Sequence, residues 1–158
     1  MIGDTLRIRY VERPGHKRKL VRTLADIARE YVGDWFTENV PDDIVSDLRF
    51  QDAFLLIDGG RIQSFLSFTG MDRSVFIMMF ATRSSERGKG YGSALYRAFE
   101  KRMAALGITS LKVQTVPPEV NANFSRTVLF YEGLGFRIVK RYAELWEHGA
   151  VELEKTIR

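Results

Sequence analysis

The feature that most constrains the fold of this chain is a glycine-rich run that joins an apolar segment to an amphipathic one. The run extends from Arg87 to Ser93 and reads RGKGYGS. Glycines at alternate positions let a backbone turn sharply and approach a ligand closely. The segment that follows has the periodicity of a helix, whose free N–H groups and positive dipole end would point at the same place. The sequence therefore predicts a phosphate-binding turn at the start of this helix.

Two common phosphate-binding patterns do not match the run. The dinucleotide fingerprint G-x-G-x-x-G/A is met at Gly88 and Gly90, but Ser93 occupies its third position. The P-loop pattern G-x-x-x-x-G-K-[ST] fails because Arg83 stands at its first glycine and Gly90 at its Ser or Thr. A glycine-rich turn without any ligand is the alternative for this segment taken alone.

A third pattern, Arg/Gln-x-x-Gly-x-Gly/Ala, is met in full by Arg87, Gly90 and Gly92. In this the run resembles the pyrophosphate loop of the GNAT family of N-acetyltransferases. A second segment, residues 127–136 with the sequence TVLFYEGLGF, is similar to the A-x-x-F-Y-E-x-L-G-F stretch of the same family. The resemblance is close over residues 75–136 and only architectural before them.

The second segment also has a physical interpretation of its own. Phe124, Val128 and Tyr131 recur at the spacing of one helix face. Taken alone, this stripe makes Tyr131 a core tyrosine. Together with the glycine run, the resemblance favours a functional tyrosine.

The remaining elements follow from hydrophobic periodicity and turn residues. A helix is predicted to carry Tyr131. The other predicted helices are residues 17–32, 41–50 and 91–106, and the predicted strands are 6–11, 53–58, 61–69, 75–81, 111–116, 136–144 and 151–157. This β-α-α-β-β-β-α-β-α-β-β order is that of the GNAT family. The resemblance thus implies an α/β (α+β) chain with the acyl-CoA N-acyltransferase fold, a mixed, mostly antiparallel twisted sheet of about seven strands flanked by about four helices.

Composition agrees with one globular enzyme domain over residues 1–158. The chain has 158 residues, of which 45% are hydrophobic and 28% charged. It contains no apolar run long enough to cross a membrane, and residues 1–7 lack the apolar core of a signal peptide. We therefore predict a cytoplasmic protein that does not bind membranes. The absence of cysteine excludes a cysteine nucleophile and a thiolate metal site.

The net charge of +4 raises the question of nucleic acid. The densest basic stretch, residues 16–22, is interpreted as the solvated face of the first helix, because no aromatic residues interleave with it. No nucleic-acid partner is predicted. No metal site is predicted either, because His16 and His148 lie far apart without a nearby acidic cluster.

The resemblance implies a reaction and its cofactor. Acetyl-CoA would be the acyl donor and an amine, on a small molecule or a peptide, would be the acceptor. In the family the two strands matching residues 75–82 and 111–116 splay apart and hold the pantetheine arm. Tyr131 matches the position of the general acid that protonates the departing thiolate.

The resemblance also implies which residues bind the cofactor. The pyrophosphate would rest on backbone N–H groups of the glycine run, with charge from Arg87 and Lys89. The strand before the run would pair with the pantetheine amides. Asn123 is included as a neighbour, because Phe124 stands where the family has an asparagine. The predicted cofactor-binding residues are Phe80, Ala81, Thr82, Arg87, Gly88, Lys89, Gly90, Tyr91, Gly92, Ser93 and Asn123.

The general base and the acceptor stay open at this stage. The central strand carries no carboxylate. The candidates elsewhere are Glu38, Asp72, Glu144 and Glu147, and a water chain is the alternative to them. Trp35 and Phe36 either line the acceptor cleft or pack in the core. A CoA-binding sensor or regulatory module without catalysis, and a binder of nucleotides or nucleic acid, are the two other hypotheses. The pattern allows a monomer or a homodimer.

Overall fold

The computed structural model describes residues 6–158. It has seven strands, four helices and two short 3₁₀ turns, in the order predicted from the sequence. The strands are β1 Arg7–Val11, β2 Asp52–Asp58, β3 Arg61–Met71, β4 Ser74–Thr82, β5 Ser110–Thr115, β6 Arg137–Tyr142 and β7 Ala150–Thr156. The helices are α1 Arg18–Arg29, α2 Val40–Asp47, α3 Tyr91–Ala105 and α4 Ala122–Gly133, and the 3₁₀ turns are Pro14–His16 and Ser84–Glu86.

The strands form one mixed sheet in the order β1-β2-β3-β4-β5-β7-β6. β1 with β2, β2 with β3, β5 with β7 and β6 with β7 are antiparallel. β4 and β5 are parallel, and their register runs from Ser74↔Ser110 to Ile77↔Val113. The apolar run predicted as a central strand is β4, which has neighbours on both sides. The predicted fold class is confirmed.

The described residues form two compact units. Residues 6–69 and 78–103 make the first, and residues 70–77 and 104–158 make the second. In the first unit, α1 and α2 pack on one face of β2, because their apolar stripes and the alternate residues of the strand share one core. The buried residues there include Val21, Leu24, Ile27, Ala28, Ile44, Leu48, Ala53, Leu55 and Ile57.

The second unit has its own buried residues. β5 and β7 contribute Leu111, Val113, Val151 and Leu153, and α4 contributes Val128 and Tyr131. Phe124 on α4 is half-buried, whereas Leu129 is 63% exposed. The predicted helix face is therefore the one that packs. The prediction of a single domain over residues 1–158 stays a prediction.

The first predicted helix is longer than the helix that forms. It was expected to extend to residue 32, but α1 ends at Arg29. The reason is a tightening of the last turn, in which the N–H groups of Glu30, Tyr31 and Val32 bond to the carbonyls three residues back, at 3.3, 3.0 and 3.2 Å. Such 3₁₀-type bonds replace the α-helical pairing at the helix end. A turn follows in which the carbonyl of Tyr31 accepts the N–H groups of Asp34, Trp35 and Phe36, each at 3.1 Å. The turn fixes the positions of two aromatic residues that contribute to the site described next.

Candidate functional site

The glycine run forms an exposed turn between β4 and α3. After Thr82 the chain passes through the 3₁₀ turn Ser84–Glu86 and reaches Gly88 and Gly90. Their φ angles are 79° and 83°. Side chains with a Cβ rarely adopt this left-handed conformation, so both positions require glycine. The residues from Arg87 to Gly90 are exposed.

The start of α3 provides free backbone donors beside this turn. The first hydrogen bond of the helix joins the N–H of Ala94 to the carbonyl of Gly90 at 3.0 Å. The N–H groups before Ala94 precede the first intrahelical bond and have no acceptor within the helix. Together with the helix dipole, they favour an anion at this place.

Glu30, at the end of α1, holds the beginning of the turn. One oxygen of its carboxylate accepts hydrogen bonds from the N–H of Ser84 at 2.8 Å and from its hydroxyl at 2.7 Å. The other oxygen lies 3.8 Å from the guanidinium of Arg83. Arg83 also donates to the carbonyl of Ile62 at 2.7 Å. Burial lowers the pKa of Arg83, with the charge of Arg61 acting in the same direction.

Tyr31 and Trp35 hold the middle of the turn. The Tyr31 hydroxyl donates a hydrogen bond to the carbonyl of Thr82, the last residue of β4. The guanidinium of Arg87 lies 5.0 Å from the centre of the Trp35 ring and 5.9 Å from that of Tyr31, in the range of cation–π attraction. Burial raises the pKa of Tyr31, and the charge of Arg87 opposes this. Trp35 and Phe36, predicted to line the acceptor cleft or to pack in the core, are both partly buried against the core of the first unit, and Trp35 also contacts the glycine run.

Tyr91 fixes the start of α3. Its hydroxyl donates to a carboxylate oxygen of Asp58 at 2.6 Å, at the end of β2. This hydrogen bond, followed by burial, raises the pKa of Tyr91 to about 12. The phenol is therefore neutral at physiological pH and acts as an anchor. Tyr91 is 7% exposed, so its side chain faces the interior rather than a ligand, and the predicted cofactor contact at this residue can come only from its backbone.

Two further residues of the run have close neighbours. The ammonium group of Lys89 pairs with the carboxylate of Glu86 within the turn. At Gly92 an added Cβ would lie 3.6 Å from the Thr82 hydroxyl and 3.8 Å from the Phe80 ring, which is ordinary contact. The family pattern allows glycine or alanine here, and the structure has room for either.

Tyr131 belongs to the second unit, where α4 carries it. Its ring packs against Phe130 and Phe136, each with a centroid distance of 5.4 Å, and the residue is 6% exposed. Burial raises the pKa of the phenol. Within residues 6–158 the Tyr131 hydroxyl has no hydrogen-bond partner, and its oxygen atom is not completely buried. Burial therefore keeps this phenol protonated.

An asparagine side chain caps the start of α4, close to the predicted cofactor residue Asn123. Asn121 is the N-cap, and its side-chain oxygen accepts the N–H groups of Asn123 at 2.9 Å and Phe124 at 3.3 Å. The side-chain oxygen of Asn123 accepts from Arg126 at 3.2 Å. The predicted cofactor contact of Asn123 stays a prediction.

The four carboxylates considered from the sequence are all exposed: Glu38, Asp72, Glu144 and Glu147. Sequence reasoning missed Glu152 in β7, which is 8% exposed and buried beside Gln114 and Tyr142. In the alternation VELEKT a glutamate has the pattern of a solvent-facing position, so only the strand pairing locates it in the interior.

Across residues 6–158, no group of three or more His, Cys, Asp or Glu is arranged to hold a metal ion. No helix in that range combines the length and apolar character needed to span a bilayer.

The glycine run and α4 both fall within the part of the chain that matches a family model. The model describes the acetyltransferase (GNAT) family and matches residues 20–136. The chain belongs to the GNAT acetyltransferase family. The match includes Tyr31 and Trp35, the whole turn from Arg87 to Ser93, and Tyr131.

Solved structures of this family share the fold. The ribosomal-protein-S18-alanine N-acetyltransferase from Escherichia coli is 14% identical with a TM-score of 0.76, over 96% of this chain and 94% of that one. The PaiA N-acetyltransferase from Thermoplasma acidophilum, solved with coenzyme A, is 16% identical with a TM-score of 0.72, over 96% and 99%. An aminoglycoside 6'-N-acetyltransferase, also solved with coenzyme A, is 18% identical with a TM-score of 0.72, over 96% and 97%. No curated protein matches the chain by sequence.

Proposed function

We propose that this acetyltransferase transfers an acetyl group from acetyl-CoA to a primary amine by direct attack within a ternary complex. The observation that carries the proposal is the turn after β4. There the left-handed Gly88 and Gly90 expose backbone donors at the start of α3 in a member of the GNAT family. A pyrophosphate is the cofactor group that such donors suit.

The chemistry assigns a separate task to each part of the chain. The amine nitrogen attacks the thioester carbonyl, and a backbone N–H of β4 stabilises the oxyanion that forms. The C–S bond then breaks with its electron pair on sulfur. Tyr131 protonates this thiolate, a task supported by a hydroxyl that has no hydrogen-bond partner among residues 6–158.

The chemical class of the acceptor is a primary amine, and two of the structural relatives suggest probes. One relative is named for an alanine substrate on a protein and another for an aminoglycoside. A peptide beginning with alanine, kanamycin and spermidine together cover protein, drug and polyamine acceptors.

Thermal unfolding with acetyl-CoA, CoA, NAD and ATP tests the proposal first. A ligand at about a hundredfold its dissociation constant stabilises a protein by roughly 2.7 kcal/mol, which for this size is a shift of about 5–11 °C. We expect the shift with acetyl-CoA and CoA alone, followed by release of CoA thiol with one of the amines. A shift with ATP or NAD alone, or with none of the four, would reject the proposal.

A further inference from the structure

One carboxylate in the described part of the chain is buried, that of Glu152 in β7. It is 8% exposed, whereas every other Asp and Glu among residues 6–158 is half-buried or exposed. Ionisable side chains are rarely buried unless a partner compensates the loss of water. The buried carboxylate of Glu152 therefore requires polar partners.

Two neighbouring strands supply the partners of Glu152, and both donate to the same oxygen. The side-chain amide of Gln114 in β5 donates to Oε1 at 3.1 Å, and the Tyr142 hydroxyl in β6 donates to Oε1 at 3.2 Å. Gln114 and Glu152 are paired residues in the β5–β7 ladder. The two donors hold the carboxylate in one orientation.

The second oxygen of Glu152 has no such partner. Within residues 6–158, Oε2 takes part in no hydrogen bond or ion pair, and the one buried side-chain atom left unpaired there is Oε1 of Gln63. Oε2 therefore reaches the surface of its unit, although most of the residue is covered. An oriented carboxylate with one open oxygen can accept a proton from outside.

The position of Gln114 and Glu152 along the sheet also favours a proton acceptor at Glu152. The ladder between β4 and β5 ends at Ile77↔Val113, and Gln114 is the next residue of β5. Glu152 is thus one step past the place where the parallel strands stop sharing hydrogen bonds. Beyond that place β5 continues in its pairing with β7, so the Gln114–Glu152 pair marks the end of the parallel ladder.

We propose that Glu152 is the proton acceptor for the incoming amine, and that Gln114 and Tyr142 are its positioning residues. The assignment rests on the proposed function. An ammonium gives one proton to Oε2, and the free nitrogen forms the N–C bond to the thioester carbon. The oxyanion then collapses as the C–S bond breaks. Sulfur takes the Tyr131 proton, and the second nitrogen proton, lost as the amide forms, restores the phenol through water.

The decisive variant is Glu152→Gln, which keeps the shape of the side chain and removes its basic oxygen. Loss of a general base lowers turnover by about 10²-fold or more. We expect that loss in kcat, with the dissociation constant of CoA unchanged. Glu154→Gln is the matched control, because Glu154 lies two positions along on the same strand face and accepts from Ser110 at 2.8 Å. We expect its kcat to stay within about twofold of the wild type, since it lacks the role assigned to Glu152.

A charge exchange tests whether the carboxylate itself matters. The double variant Glu152→Gln with Gln114→Glu returns a carboxylate to the same cross-strand pair, on β5 instead of β7. We expect the kcat of the double variant to exceed that of Glu152→Gln by at least about tenfold, which is a part of the general-base contribution. Tyr142→Phe removes one donor and should lower kcat severalfold while the KM for the amine stays unchanged.

The probes are acetyl-CoA with the alanine peptide, kanamycin and spermidine. Turnover that is unchanged in Glu152→Gln overturns this assignment and leaves the proposed function standing. Absence of turnover with every amine in the wild type overturns both. If Glu152→Gln does not fold, the folded double variant and Tyr142→Phe decide. Wild-type kcat in Tyr142→Phe, or no activity in a folded double variant, contradicts the assignment.

Discussion

The guanidinium of Arg87 lies 5.0 Å from the centre of the Trp35 ring. Arg87 opens the glycine run, and Trp35 belongs to the turn that ends α1, so this contact joins two distant segments of sequence. Tyr31 strengthens the junction, because its hydroxyl reaches the carbonyl of Thr82 at the end of β4. The conformation of the glycine run therefore depends on side chains far from the motif.

Removal of the Trp35 ring should weaken cofactor binding. A cation–π contact contributes about 0.5–2 kcal/mol, so Trp35→Leu should raise the dissociation constant of CoA by roughly 2- to 30-fold. Trp35→Phe keeps a ring and should lose less. Isothermal titration calorimetry measures the dissociation constant of CoA for both variants. Trp146→Phe, which changes an exposed ring, is the control, and equal affinity in Trp35→Leu and wild type would contradict the prediction.

The two glycines at the start of α3 should respond differently to alanine. Gly90 has φ of 83°, where an L side chain costs about 1–2 kcal/mol, so Gly90→Ala should lower both stability and CoA affinity. Gly92→Ala should cost nothing, because the new methyl group meets Phe80 and Thr82 at ordinary contact distance. Chemical denaturation and CoA titration on the pair provide the comparison. Equal losses in the two variants would show that the left-handed turn is unimportant.

Tyr131→Phe should separate catalysis from packing. The ring contacts with Phe130 and Phe136 remain, so unfolding temperature and CoA affinity should stay near wild type. Turnover should fall about 10²-fold, a typical contribution of a general acid. Steady-state kinetics at saturating acetyl-CoA measures the effect. Wild-type kcat in this variant would remove Tyr131 from the mechanism.

Stability should decline at alkaline pH through the tyrosines. The pKa of Tyr131 is raised by burial, and that of Tyr91 is raised to about 12 by its bond to Asp58. Below the ordinary value of about 10 both states keep the phenolic proton, and above it the unfolded chain releases the proton first. The free energy of unfolding should thus be level up to about pH 10 and then fall as pH rises toward the folded values. Denaturant melts from pH 8 to 11.5 test this, and a shallower alkaline decline is expected in Tyr91→Phe.

Local patterns predicted most of the fold. The continuous apolar run of β4 and the stripe on α4 each specify an element without help from the rest of the chain. The glycine run likewise predicts a turn, because the residues with left-handed backbone conformation, Gly88 and Gly90, belong to the run itself. Such features can be predicted because their causes lie within a few residues.

The remainder depends on contacts between distant segments. The end of α1 is set by the hydrogen bonds that residues 30–32 make to carbonyls three residues back, which no pattern in residues 17–32 signals. The pairing of Arg87 with Trp35 and the burial of Glu152 beside Gln114 arise only when separate elements come together. A single sequence carries no local sign of either.

The turn after β4 is held by Glu30, Tyr31 and Tyr91 through side-chain hydrogen bonds. A loop fixed in this way has already lost its conformational freedom during folding. Capture of an anion then requires little further ordering, and more of the contact energy appears as affinity. In this protein the aromatic and acidic side chains around the glycines order the loop during folding. The entropic cost of ordering it is therefore not part of the free energy of ligand binding.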